Sequence, residues 1–104
     1  MTNYVFAYHG GSGAAETPEA QEQVMAEWGA WFGTLGPALV DGGARLGAAA
    51  TVHPDGAPTD GGSTGLGGYS IVNAPELSAA TDLAKGCPIL RRGGSVDVYE
   101  TVAM

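Results

Sequence analysis

The fold is decided by a short stretch near the start of the chain, YVFAYH at residues 4–9. Its aromatic and β-branched residues favour a β-strand. Because side chains alternate across a strand, the three aromatic residues share one face, and Val5, Ala7 and His9 share the other. The stretch therefore predicts a strand with one aromatic face and one face of small and polar residues.

An amphipathic helix is predicted next, after a glycine-rich loop at residues 10–13. Thr17 is its expected N-cap, and Pro18 suits the first helical position. Apolar residues then recur at i, i+4, i+7, i+8 and i+11, which places them in one stripe of a helix. They are Val24, Trp28, Trp31, Phe32 and Leu35. The pattern predicts a helix that ends near residues 36–37, Gly-Pro.

Short elements separated by glycine turns make up the rest of the chain. Strands are expected at 44–52 and 68–73, joined by a long, loose connection at 57–68. Asn73 and Glu76 resemble a capping box that opens a second helix reaching about Lys85. Alternating valines at residues 96–102 predict a last strand. The order βαββαβ defines an α+β class, a ferredoxin-like sandwich whose antiparallel sheet carries both helices on one face.

The aromatic residues of the first strand predict a homodimer. Val5 and Ala7 suit close packing beneath the helices, so the aromatic face is expected to be open, with Tyr69 or Tyr99 beside it. Exposure to water would forfeit about 1.5–3 kcal/mol of burial for each aromatic ring. A second copy that packs sheet against sheet removes this patch from water.

Composition limits the chain to one domain, residues 1–104, and excludes several classes of protein. Four basic residues stand against 11 acidic ones, a net charge of −7, which argues against nucleic acid and anionic membrane surfaces. No apolar run approaches the roughly 20 residues of a membrane span. The start of the chain has no basic segment typical of a secretory signal, so a cytoplasmic protein is expected. A single cysteine, Cys87, permits no internal disulfide.

Several motifs, taken in their order and spacing, resemble those of the YCII-related, or DGPF-type, domain family. They are Trp28 and Trp31, the segment 39–43, Asp55-Gly56, Asp60-Gly61-Gly62, Gly68-Tyr69-Ser70, the segment 77–84 and the segment 94–98. The resemblance spans nearly the whole chain. It implies a dimeric α+β barrel, a fold group of small cofactor-free enzymes that act on aromatic or lactone compounds. Many members carry a histidine on the first helix as part of an acid–base dyad; the first helix here has none, so that dyad is not carried over.

His9 is the candidate for acid–base chemistry, because histidine titrates near neutrality and His9 stands where the first strand enters a glycine loop. Alternation is expected to direct it to the helix side, where Trp28 and Trp31 would edge an aromatic-lined cavity. Asp60 or Asp41 is expected to orient the ring. The structural alternatives are a histidine that closes a strand end and tryptophans that only fill the core. The predicted site residues are His9 and Asp60 for catalysis, and Trp28, Trp31 and Tyr69 for ligand binding.

No metal and no cofactor are predicted. His9 and His53 lack ligand spacing, and the glycine loop lacks the Gly-Lys-Ser/Thr ending of a phosphate loop. Two functions remain open. One is a small-molecule site in a cytoplasmic homodimer, either catalytic through His9 or only binding. The other is a non-catalytic accessory or protein-interaction module whose acidic exterior meets a protein partner.

Overall fold

A computed structural model describes residues 1–10, 17–60 and 66–103, without the side chain of Asp60. Four strands form one antiparallel sheet in the order β2-β5-β1-β6, and β3 and β4 form a separate two-stranded sheet. Two helices and two 3-10 turns, at Gly36–Ala38 and Pro88–Arg92, complete this part of the chain. The elements are β1 Thr2–His9, α1 Pro18–Leu35, β2 Leu39–Arg45, β3 Ala50–Val52, β4 Pro58–Asp60, β5 Leu66–Ala74, α2 Leu77–Ala84 and β6 Ser95–Glu100.

The strand order confirms the α+β class and is compatible with a ferredoxin-like fold. β1 lies at the centre of the sheet, antiparallel to β5 on one side and to β6 on the other. Buried side chains of α1 and α2 join one core with those of β1 and β5, so both helices cover the same face of the sheet. None of the helices in the described ranges combines the length and hydropathy needed to cross a membrane.

The first helix begins and ends where the sequence predicts. The Thr17 hydroxyl accepts a hydrogen bond from the Ala20 backbone N–H at 3.1 Å, which satisfies one of the free donors of the first turn. Pro18 occupies the first helical position, and Gly36 follows the last residue with a positive φ of 54°. Capping signals are local, so they can be read without knowing the tertiary fold.

The two faces of β1 are reversed from the expectation. Tyr4, Phe6 and Tyr8 lie beneath the helices and are at most 5% exposed. The Phe6 ring stacks on Trp31 with a centroid distance of 6.0 Å. The large rings fill the space between sheet and helices, whereas the side chains of Val5 and Ala7 would leave it empty. The prediction that the aromatic face is open was therefore wrong, and Val5, Ala7 and His9 lie on the uncovered face.

Two element boundaries also differ from the prediction. Two strands stand where one was expected at 44–52. β2 begins earlier and spans Leu39–Arg45, and β3 spans Ala50–Val52. The expected loose connection contains β4, which pairs with β3 in a short hairpin. Asn73 belongs to β5 and does not cap α2; its side-chain amide donates to Asn3 Oδ1 at 2.9 Å, and Glu76 occupies the N-cap position.

Candidate functional site

The centre of the uncovered sheet face is a row of three residues on neighbouring strands. Ala7 of β1 stands opposite Tyr69 of β5 and opposite Asp97 of β6. Ala7 is only 8% exposed, although neither α1 nor α2 lies on this face. Neighbouring side chains on the same face, among them Tyr69 and Asp97, therefore shield this small residue from water.

His9 and Asp97 form a pair at one end of this row. His9 stands opposite Ser95, and Asp97 is two residues further along β6, so both side chains project from the uncovered face. His9 Nε2 lies 2.9 Å from Asp97 Oδ2. The His9 side chain is 21% exposed and that of Asp97 is 49% exposed. The Nε2 atom itself is buried, and its contact with the Asp97 carboxylate restrains the orientation of the ring.

Tyr69 shares this face with His9, but the two tryptophans do not. Trp31 is 6% exposed, and its indole N–H donates to the Leu83 carbonyl at 3.2 Å, which ties α1 to α2. Trp28 meets the ring of Tyr8 edge-on with a centroid distance of 4.9 Å. In the described part of the chain the sheet therefore lies between both indoles and His9, and it does not bring them together.

Neither of the aspartates expected to orient His9 is seen to do so. Asp41 Oδ1 accepts a hydrogen bond from the Gly43 N–H at 2.8 Å within the irregular part of β2. The side chain of Asp60 lies outside the described residues. Asp97, which sequence reasoning missed, contacts the ring instead. Its signal was the alternation of β6, where Val96 and Val98 face the core and Asp97 and Tyr99 face away from it.

A chain of buried hydroxyl groups lies on the opposite, helix-covered side of the sheet. Tyr8 donates to Ser70 Oγ at 2.7 Å, and Ser70 donates to the Gly42 carbonyl at 2.8 Å. Burial raises the pKa of Tyr8 well above its ordinary value, although the hydrogen bond to Ser70 opposes this change. These hydroxyls join β1, β5 and β2, so we interpret them as structural.

Cys87 and the two adjacent arginines make contacts that stabilise the fold. Cys87 is 1% exposed, and burial raises the pKa of its thiol to about 11, so the thiol stays protonated near neutrality. Arg91 and Arg92 both contact the carboxylate of Glu27, at 3.4 and 3.1 Å, and thereby tie the Pro88–Arg92 turn to α1. Among the described residues, no three His, Cys, Asp or Glu side chains converge as metal ligands would.

Comparison with known proteins finds no matching family model, no matching curated protein and no matching solved structure.

Proposed function

We propose that this chain is a YCII-related domain that binds a small molecule on the uncovered face of its sheet and uses His9 as an acid or base. The observation that carries the proposal is the 2.9 Å contact between His9 Nε2 and Asp97 Oδ2, on the same face as Ala7 and Tyr69. Imidazole exchanges protons near neutral pH, and acid–base chemistry of this kind requires no cofactor.

The residues near His9 have distinct parts in the proposed site. Tyr69, opposite Ala7, offers a flat ring and a hydroxyl group to a ligand. Asp97 is a positioning residue that orients His9. The resemblance to the family favours an aromatic compound or a lactone as the ligand, and Tyr69 supports an aromatic one by stacking.

The site is proposed to operate within a cytoplasmic homodimer, the dimeric α+β barrel that the resemblance implies. The uncovered face still carries apolar groups, but they differ from those first expected. Val5 and Ile71 are half-buried opposite one another, and Tyr99, opposite Val5 on β6, is 57% exposed. A second sheet packed on this face would cover these side chains and exclude water from His9.

The experiment is a small-molecule screen by NMR on the full chain, with phenols, lactones and small carboxylic acids. The ring signals of His9 and Tyr69 are expected to shift with a hit. His9→Gln is expected to weaken binding at least about tenfold, or about 1.4 kcal/mol, without lowering the melting temperature. His53→Gln is the matched control, because the His53 ring contacts Thr59 in the exposed β3–β4 hairpin.

Two results would overturn the proposal. Hits that shift the indole signals of Trp28 and Trp31 and leave His9 unmoved would place the ligand in the helix layer. Unfolding of the His9→Gln protein would assign the histidine a structural role. Asp97→Asn separates positioning from binding: the variant should still bind the ligand, and the ring signals of His9 should change already in the free protein.

A further inference from the structure

The last strand, β6, leaves one edge of the sheet unpaired. It is the terminal strand of the order β2-β5-β1-β6, and no strand in the described ranges pairs with its outer side. β2, at the opposite edge, has two register irregularities between Leu39 and Ala44, which disrupt pairing with a further strand. β6 pairs with β1 in an unbroken register and contains neither proline nor lysine. A regular edge of this kind can accept an additional strand.

The hydrogen bonding of β6 identifies the backbone groups on its free side. The Thr101 N–H donates to the Asn3 carbonyl at 3.1 Å, so these opposite residues form a hydrogen-bonded pair. Such pairs alternate along antiparallel strands, so Tyr99 and Asp97 also bond to β1. The N–H and C=O groups of Val96, Val98 and Glu100 therefore point away from the sheet.

An open groove runs beside this edge, between α2 and β6. Its volume is about 430 Å³. The lining residues are Leu77, Thr81, Val96, Asp97, Val98 and Tyr99. Leu77 contributes an apolar side chain that is 49% exposed, on the same side of the sheet as Val96 and Val98. An extended chain beside β6 would place every second side chain in this groove.

The charges around the groove are acidic. Asp97 lines it, and Glu100 ends the strand. Burial raises the pKa of Tyr4, and the charges of Glu100 and Glu76 raise it further, so both carboxylates lie near this end of β6. No lysine or arginine lines the groove, and Lys85 of the adjacent helix end pairs with Asp82 at 2.9 Å. A second copy would bring its own carboxylates to the same edge, and like charges across strands are destabilising.

We propose that β6 and the groove bind an extended, basic segment of another protein as an added strand. The main chain of the segment bonds to the outward groups of Val96, Val98 and Glu100. Its apolar side chains enter the groove against Leu77, and the alternate basic side chains meet Asp97 on the other side of the sheet. This inference rests on the edge and the groove; it shares Asp97 with the proposed small-molecule site but requires no ligand there.

The test uses the full chain and two eight-residue peptides of alternating sequence, one of valine and lysine and one of valine and glutamate. The lysine peptide is expected to slow hydrogen exchange at the amides of Val96, Val98 and Glu100, with little change at Asp97 and Tyr99. The glutamate peptide should bind at least about tenfold more weakly. Leu77→Lys should weaken the binding of the lysine peptide to a similar degree. Leu90→Lys is the matched control, because Leu90 is 42% exposed in the Pro88–Arg92 turn.

Three results would overturn the inference. Equal binding of both peptides would refute the charge argument. Shifts confined to His9 and Tyr69 would place the peptide on the uncovered face. Protection of Val96, Val98 and Glu100 that grows with protein concentration in the absence of peptide would assign the edge to a second copy. None of these outcomes depends on whether His9 binds a small molecule.

Discussion

At the scale of single residues, the hydroxyl of Ser70 links three strands. Ser70 is fully buried, accepts from Tyr8 and donates to Gly42. Ser70→Ala would leave the Tyr8 hydroxyl without this partner in a buried position, at a cost of about 1–3 kcal/mol. Denaturant unfolding of the variant measures this loss as a lower midpoint with an unchanged slope.

Tyr8→Phe provides the control for this prediction. Ser70→Ala leaves the Tyr8 hydroxyl without a partner, and Tyr8→Phe removes that hydroxyl. The double variant should therefore lose less free energy of unfolding than the sum of the losses in the two single variants. Strict additivity of the two changes would show that the hydroxyls do not stabilise each other.

The type of a residue indicates which chemistry its side chain can perform, but not which other residue it contacts in the folded chain. His9 was chosen as a candidate because histidine is a common acid or base and because it stands at a strand end, and Tyr69 lies on the same face. Asp97 was missed because its contact with His9 joins residues far apart in sequence, through the register of β1 against β6. That register is fixed by packing on the other face and not by any local motif.

At the scale of elements, β2 depends on one glycine. Gly43 has a φ of +76°, and a Cβ at this position would meet the carbonyl oxygen of Tyr69 on β5. Gly43→Ala is therefore expected to lower the free energy of unfolding by at least about 2 kcal/mol. Gly47→Ala is the matched control, since Gly47 has open space around its Cα and no positive φ.

Urea unfolding compares the two alanine variants, and hydrogen exchange locates the damage. The exchange of β2 and β5 amides should accelerate in Gly43→Ala, while the amides of Asp97 and Tyr99, which bond to β1, remain protected. Equal stability of the two variants would contradict the role assigned to Gly43.

A comparison of α1 with β2 shows why some elements can be predicted from the sequence and others cannot. α1 has a cap, a proline and an apolar stripe within its own sequence, and both its ends were predicted. β2 has none of these local signals: its segment LVDGGAR contains two glycines and is held by long-range pairing to β5. The capping role expected of Asn73 was wrong for a related reason, because pairing to β1 holds this residue within β5.

At the scale of the whole molecule, the sequence predicted two different sheet faces but not which of them is covered. Alternation divides β1 into an aromatic and a small-residue face, and either can lie under helices on that pattern alone. Side-chain volume decides which face is covered. The space between the sheet and α1 is filled when the rings of β1 pack against Trp31 and Leu35. The resulting layer structure has a least dimension of 19 Å, with one sheet face left uncovered.

That uncovered face yields a prediction about the assembly. Light scattering at micromolar concentration should give twice the chain mass of 10.4 kDa, because sheet-to-sheet packing would remove Val5, Ile71 and Tyr99 from water. Ile71→Lys should convert the protein to a folded monomer, since an unpaired ammonium group is costly to bury in such an interface. Met25→Lys, on the 74% exposed Met25 of α1, should remain dimeric.

The assembly and the site can be separated by combining these variants with the ligand screen. If a second sheet completes the site, the Ile71→Lys protein should have the mass of a monomer. Its His9 signals should also respond more weakly to a compound that binds the wild-type protein. A wild-type monomer, or dissociation by Met25→Lys in place of Ile71→Lys, would contradict packing through the uncovered face. Retained binding in a monomeric Ile71→Lys protein would instead locate the complete site within one chain, where Ala7, His9, Tyr69 and Asp97 already meet.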